Sequence, residues 1–158
     1  MKVIHFNQEE NEIIRLAIEN NRSAQQKIYI KFSSKMLSVC RQYIKDIHQA
    51  EDIMITAFMK VFANLKNFEK KGSFEGWIRR IMVNECISHI RVQKKVSFLD
   101  EEKYSEESFN NIESLFSVED IQFLIDSLPD GYKIIFNLYA IEGYKHKEIS
   151  DMLGINEG

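Results

Sequence analysis

Apolar residues along this chain recur at steps of three and four rather than two, so the sequence predicts helices throughout. The first run spans Asn11 to about Asn20, with Ile13, Ile14, Ala17 and Ile18 on one face. Ser23 is placed to cap a second, longer helix whose apolar stripe is Ile28, Phe32, Met36, Val39, Cys40 and Tyr43. After a break around Asp46–His48, Met54, Ala57, Phe58, Val61 and Leu65 mark a third helix. The stretch NFEKKG, residues 67–72, reads as a loop, and Ser73 caps a fourth helix that reaches about Lys95. The pattern then lapses. Residues 96–116 are acidic and carry Ser and Asn without sustained periodicity, as a solvated, flexible linker does. Ser117 and Asp120 form a capping-box-like start for a helix with Ile121, Leu124, Ile125 and Leu128 as its buried stripe. Pro129 opens the next element, which continues through Ile134, Ile135, Leu138 and Ile141, with Gly143 just past its end. A last short helix in KHKEISDMLG turns Ile149, Met152 and Leu153 inward and stops at Gly154. The expected fold is all-α: two small helical bundles, residues 8–95 and 117–158, joined by the acidic linker.

Composition agrees with a soluble globular protein: 44% of the 158 residues are apolar and 28% charged, with six Gly and one Pro. No apolar run approaches the roughly 20 residues needed to cross a bilayer. The N-terminal MKVIHFNQEENEII lacks the apolar stretch of a signal peptide, so no membrane insertion and a cytoplasmic location are expected. Cys40 and Cys86 read as small buried hydrophobes in a reducing compartment, against a disulfide or metal pair as the alternative. The net charge of −3 hides a division: Lys66–Lys95 holds eight Lys/Arg against three Glu, and Val96–Asp130 holds ten Asp/Glu against one Lys.

The fourth helix carries the most chemistry. At about 100° per residue, Trp77, Arg80, Asn84, Ser88, Arg91 and Lys95 share a face. Val83, Cys86, Ile87 and Ile90 form a separate apolar stripe. Cations neutralise phosphates, and an aromatic ring can stack on an unpaired base. The preceding loop adds Phe68, Lys70 and Lys71. On chemistry alone, a core Trp77 beside a solvated cationic face explains the pattern equally well. Residues 142–156 supply a short helix, a glycine turn and a polar cap at Asn156, which suits a helix-turn-helix but also an ordinary helical hairpin. His5, His48, His89 and His146 are scattered, and no glycine-rich phosphate loop or nucleophile motif is present. The sequence therefore points to no enzyme, no metal, no cofactor and no small-molecule substrate.

Taken in order, AEDIMITAFMKVFANLKNFEKKGSFEGWIRRIMVNECISHIR resembles the second conserved region of extracytoplasmic-function sigma factors. LPDGYKIIFNLYAIEGYKHKEISDMLGI resembles the start of their fourth region, and the tether falls where that group lacks an intermediate region. The resemblance implies a non-enzymatic subunit that directs core RNA polymerase to promoters. Asp52, Ile55, Thr56 and Met59, on the third helix, would face the coiled-coil clamp helices of the largest polymerase subunit. The loop from Asn64 to Phe74 and the face of the fourth helix would read and melt the minus-ten element. Phe68 and Asn84 stand where pocket and contact residues lie, with Lys70, Lys71, Trp77 and Ser88 nearby. Arg80, Arg91 and Lys95 would meet backbone phosphates. His146, Lys147 and Asn156 fall in the helix-turn-helix. Many members have an anti-sigma factor as a regulatory partner, although no residue here identifies one.

Two departures stand out. The family usually carries Gln followed by an acidic residue where Ile55 and Thr56 stand, which puts part of the clamp contact in doubt. The sequence also ends at Gly158, about where a recognition helix for the minus-thirty-five element should begin, so a truncated second bundle is expected. Two other readings compete: a helix-turn-helix regulator acting without polymerase, and a helical protein-interaction adaptor with no DNA role.

Overall fold

The structure is a computed structural model that describes residues 8–97 and 117–157, the side chains of 94–97 and of Gln122 excepted. Every regular element among the described residues is helical: α1 (Gln8–Ile18), α2 (Arg22–Tyr43), α3 (Ile47–Asn64), α4 (Phe74–Ser97), α5 (Val118–Ser127), α6 (Asp130–Phe136) and α7 (His146–Leu153). The chain clusters into two compact units that divide within α4, between Ile90 and Arg91. The predicted linker, 96–116, lies almost wholly outside the described residues.

In the first unit the predicted stripes of α2 and α3 are the core, while of the α1 stripe only Ile14 and Ala17 are buried. Ile28, Phe32, Met36, Val39, Cys40 and Tyr43 of α2 are buried, as are Met54, Ala57, Phe58 and Val61 of α3 and Leu65 just after it. From α4, Val83, Cys86 and Ile87 are buried, joined by Phe74, Ile78 and Met82, while Ile90 is only half-buried. The turn between α1 and α2 differs from expectation. Asn20 takes a left-handed conformation (φ 63°), which lets α2 start early. Asn21, not Ser23, is therefore the cap, and its side-chain oxygen accepts the Ala24 N–H at 3.0 Å. Asp46 caps α3 by accepting from the Gln49 N–H. Cys40 and Cys86 are fully buried free thiols on different helices, and they meet. The Cys86 thiol interacts with the Cys40 sulfur, which pushes Cys86 well above the ordinary thiol range and lowers Cys40.

In the second unit α5 opens on the predicted capping box: Ser117 Oγ accepts the Asp120 N–H, and the Asp120 carboxylate accepts the Ser117 N–H at 2.8 Å. These hydrogen bonds hold the Asp120 carboxyl below the usual carboxylate range. Pro129 occupies the N-cap of α6. A wide π turn, Asn137–Ile141, follows α6 and closes at Gly143 (φ 76°). Ile134, Leu138 and Ile149 are buried here. The other expected core positions are not: Leu124, Ile125, Leu128, Ile135, Met152 and Leu153 are half-buried, Ile121 is 49% exposed and Ile141 44% exposed, because three helices of seven to ten residues cannot enclose every apolar side chain. Lys133 is buried with its ammonium donating to Asp126 at 2.7 Å, so its charge is paired.

Candidate nucleic-acid interface

Between α3 and α4 the chain makes a tight corner. Leu65–Asn67 form a 3-10 turn, Lys70 adopts a left-handed conformation (φ 57°), and Gly72 follows at φ 99°. Ser73 then caps α4, its hydroxyl oxygen accepting the Gly76 N–H at 3.0 Å. An aromatic cluster holds the corner. The Phe68 ring lies 5.2 Å from Phe74 and 5.4 Å from Trp77, and Phe74 stacks on Trp77 at 5.9 Å and meets Phe32 of α2 at 5.7 Å.

This cluster changes the expected role of Phe68. It is 8% exposed and packed into the base of the corner, not displayed beside the cations for stacking. Trp77 is half-buried, its ring shared between core and surface. Asn64 is exposed, but its amide nitrogen donates to the Lys60 carbonyl and its oxygen accepts from Asn67, which ties it locally. Lys70 and Lys71 are exposed, with Lys71 paired to Glu69 at 2.6 Å.

The outward face of α4 is as the spacing predicts: Arg80, Asn84, Ser88 and Arg91 are all exposed along one side of the helix. Lys95 lies in the last turns, and its side chain falls outside the described residues. Two ion pairs fasten α4 to its neighbours, Glu75 with Lys35 of α2 at 2.8 Å and Glu85 with Lys60 of α3. Their worth in stability is small, but they keep carboxylates away from the polar face. That face therefore offers an amide, a hydroxyl and cations on a rigid helix beside a preformed corner.

A second surface lies on α3. Asp52, Ile55, Thr56 and Met59 point outward at helical spacing, with Ile55 48% and Met59 68% exposed. Thr56 Oγ1 donates to the Asp52 carbonyl, so its hydroxyl folds back on the helix. An isoleucine and a methionine in water beside two polar groups form a modest apolar patch suited to a protein partner.

In the second unit, Glu148 accepts the Lys145 N–H and starts α7, and Gly154 ends it at φ 66° with the Ile155 N–H donating back to the Ser150 carbonyl. His146 stacks on Tyr139 at 4.7 Å, and His146, Lys147 and Asn156 are exposed. Among the described residues no group of three or more His, Cys, Asp or Glu is arranged to hold a metal ion, and no helix is long and apolar enough to cross a membrane.

Among the described residues, all helical, a polar helix face stands beside an aromatic corner, and a short helix-turn pair follows along the chain. Comparison with known proteins gives the family. The models for sigma-70 region 2 and sigma-70 region 4 match residues 28–96 and 119–158. The chain is 28% identical over 141 residues to the ECF RNA polymerase sigma factor SigW of Bacillus subtilis, covering 80% of this chain and 75% of that protein. It is 30% identical over 119 residues to the ECF RNA polymerase sigma factor SigE of Mycolicibacterium smegmatis, covering 70% of this chain and 46% of that one. Among solved structures, CnrH in complex with the cytosolic domain of CnrY shares the fold, with a TM-score of 0.52 at 15% identity over 94% of this chain and 84% of that one. The chain belongs to the sigma-70 family, in its extracytoplasmic-function group, and is an RNA polymerase sigma factor.

Proposed function

We propose that the chain acts in the cytoplasm by docking the outward stripe of α3 on the clamp helices of core RNA polymerase. It then opens the minus-ten element of promoter DNA at the corner between α3 and α4. Residues 8–95 carry both tasks, 96–116 tether them to 117–158, and the latter unit carries the helix-turn-helix with His146, Lys147 and Asn156. The observation that supports this most is the exposed row Arg80, Asn84, Ser88 and Arg91 beside an aromatic-walled corner. Asn84 reads a base through its amide, while Arg80, Arg91 and Lys95 meet phosphates without reading sequence. Flipping a base out of the stack costs a few kcal/mol, and a corner already held in shape spends none of its contacts on ordering itself.

Phe68 and Phe74 serve as the floor of the base pocket and Trp77 as its half-exposed wall, with Lys70 and Lys71 at the rim. Ile55 and Thr56 make the clamp contact more apolar than the family's usual Gln and acidic residue. A protein that covers the α3 and α4 surfaces would silence the factor. CnrH, of like fold, is found in complex with the cytosolic domain of CnrY, which supports an anti-sigma factor as a regulatory partner here.

The test is in vitro transcription with cognate core polymerase on fragmented genomic DNA, with the transcripts sequenced. Discrete start sites that weaken with Asn84→Ala are expected. Start sites indifferent to Asn84→Ala and Arg80→Ala would refute the assignment of the α4 face.

A further inference from the structure

A 22-residue helix that carries Arg22, Lys27, Lys31, Lys35 and Arg41 and not one carboxylate is unusual in a chain with more acids than bases. Like charges at i,i+4, as in Lys27–Lys31 and Lys31–Lys35, weaken a helix, and the cation in the first turn opposes its dipole. The helix α1 next to it does the reverse, flanking Arg15 with Glu12 and Glu19. All five cations of α2 are exposed, and so are Ser34 and Ser38 between them. Among the described residues, two carboxylates reach α2 from other helices, Glu10 to Lys31 at 2.6 Å and Glu75 to Lys35 at 2.8 Å. Among the described residues Lys27 and Arg41 have no ion-pair partner.

The position of this face matters as much as its sign. Glu75 sits in the first turn of α4, two residues before Trp77, so Lys35 joins the basic face to the rim of the α3–α4 corner. From Lys27 to Arg41 the face extends about 21 Å along the helix. It displays ammonium, guanidinium and hydroxyl groups, the exposed Ile30 side chain and no exposed aromatic ring, so it can track a sugar-phosphate backbone but cannot stack on bases.

We propose that the outward face of α2 binds the phosphate backbone of the single DNA strand adjoining the minus-ten element, with Lys27 and Arg41 as its main contacts and Lys31 and Lys35 joining when the strand displaces Glu10 and Glu75. This rests on the minus-ten reading above. The face adds length-dependent, sequence-blind affinity to the open complex and leaves the choice of promoter to α4.

The test uses the full chain in holoenzyme on forked templates built on a promoter mapped as above. One template's single strand stops at the end of the minus-ten element, and the other's continues several nucleotides beyond it. Each phosphate contact to a single strand contributes a salt slope of about 0.7, so losing two at 0.1 M salt weakens binding about 25-fold. Lys27→Gln with Arg41→Gln is expected to cost that much on the long template, with the slope smaller by about 1.4, and to leave the short template unchanged. An equal effect on both templates, or none on either, overturns the proposal. So does a loss of affinity for core polymerase without DNA, which would make α2 a protein-docking face. Asn84→Ala on the short template reports the minus-ten reading separately: if it has no effect there while the long template still depends on Lys27 and Arg41, that reading fails and the α2 face stands.

Discussion

Phe68 decides whether the corner between α3 and α4 is a preformed pocket or a flexible loop that offers a ring to DNA. The substitution is Phe68→Ala. The ring is 8% exposed and touches both Phe74 and Trp77, so its removal empties the middle of an aromatic cluster that also reaches Phe32. Buried Phe→Ala changes cost about 3–5 kcal/mol, and the partial exposure of this ring places it at the lower end, about 3 kcal/mol. For a unit of about 90 residues each kcal/mol moves Tm by about 4–8 °C, so a fall of roughly 12–24 °C is expected. The assay is built into the chain: Trp77 is its one tryptophan and lies 5.4 Å from the ring. Fluorescence-monitored thermal unfolding of the full chain therefore reports this unit directly. Asn84→Ala is the control, since an exposed polar position changes stability by no more than about 0.5 kcal/mol. If Phe68→Ala lowers Tm by less than about 3 °C and still abolishes promoter opening, the ring is a stacking partner for DNA and the pocket-floor argument is wrong.

Three further outcomes are expected. Asn21→Ala lowers stability by about 1 kcal/mol in denaturant unfolding whereas Ser23→Ala leaves it unchanged, because only Asn21 caps α2. Met59→Asp and Ile55→Asp leave unfolding unaltered, since both side chains are exposed, but weaken capture by core polymerase in a competition assay. Acid weakens the α5 cap from the ordinary Asp pKa of about 3.9 downward. The depressed pKa of Asp120 means its contribution is present above that value and lost as pH falls through the lower, folded one. Amide exchange of Ser117 and Asp120 followed from pH 6 to pH 2 tests this, and Asp120→Asn should abolish the pH dependence.

How much of this was legible in the residues themselves depended on how completely each element is enclosed. The stripes of α2 and α3 could be read outright because those helices are long and pack on one side only, so burial and spacing coincide. Ile121 and Ile141 broke the rule in the second unit, where short helices leave apolar side chains in water whatever their period. The cap at Asn21 was hidden because it depends on the left-handed turn at Asn20, a backbone fact that two adjacent asparagines permit but do not announce. The meeting of Cys40 with Cys86 joins positions far apart in the chain, and no spacing encodes it. The basic face of α2 was visible in principle. Its five cations stand in the sequence, but only its exposure and its link to Glu75 give it meaning.

The polar face of α4 and the aromatic corner are consequences of one packing arrangement. Phe74, Ile78 and Met82 sink one side of α4 into the bundle, which forces Arg80, Asn84 and Ser88 outward on the other. The same Phe74 ring pins Phe68 and Trp77, so the corner cannot move without disturbing the core beneath α4. Lys70 holds a left-handed backbone that costs a non-glycine residue about 1–2 kcal/mol, a strain the aromatic contacts offset. A loop left loose would lose that energy on binding instead, and capture of an unstacked base already costs a few kcal/mol. On the function proposed above, rigidity at Phe68, Phe74 and Trp77 lets a single amide and a few cations be enough at the surface.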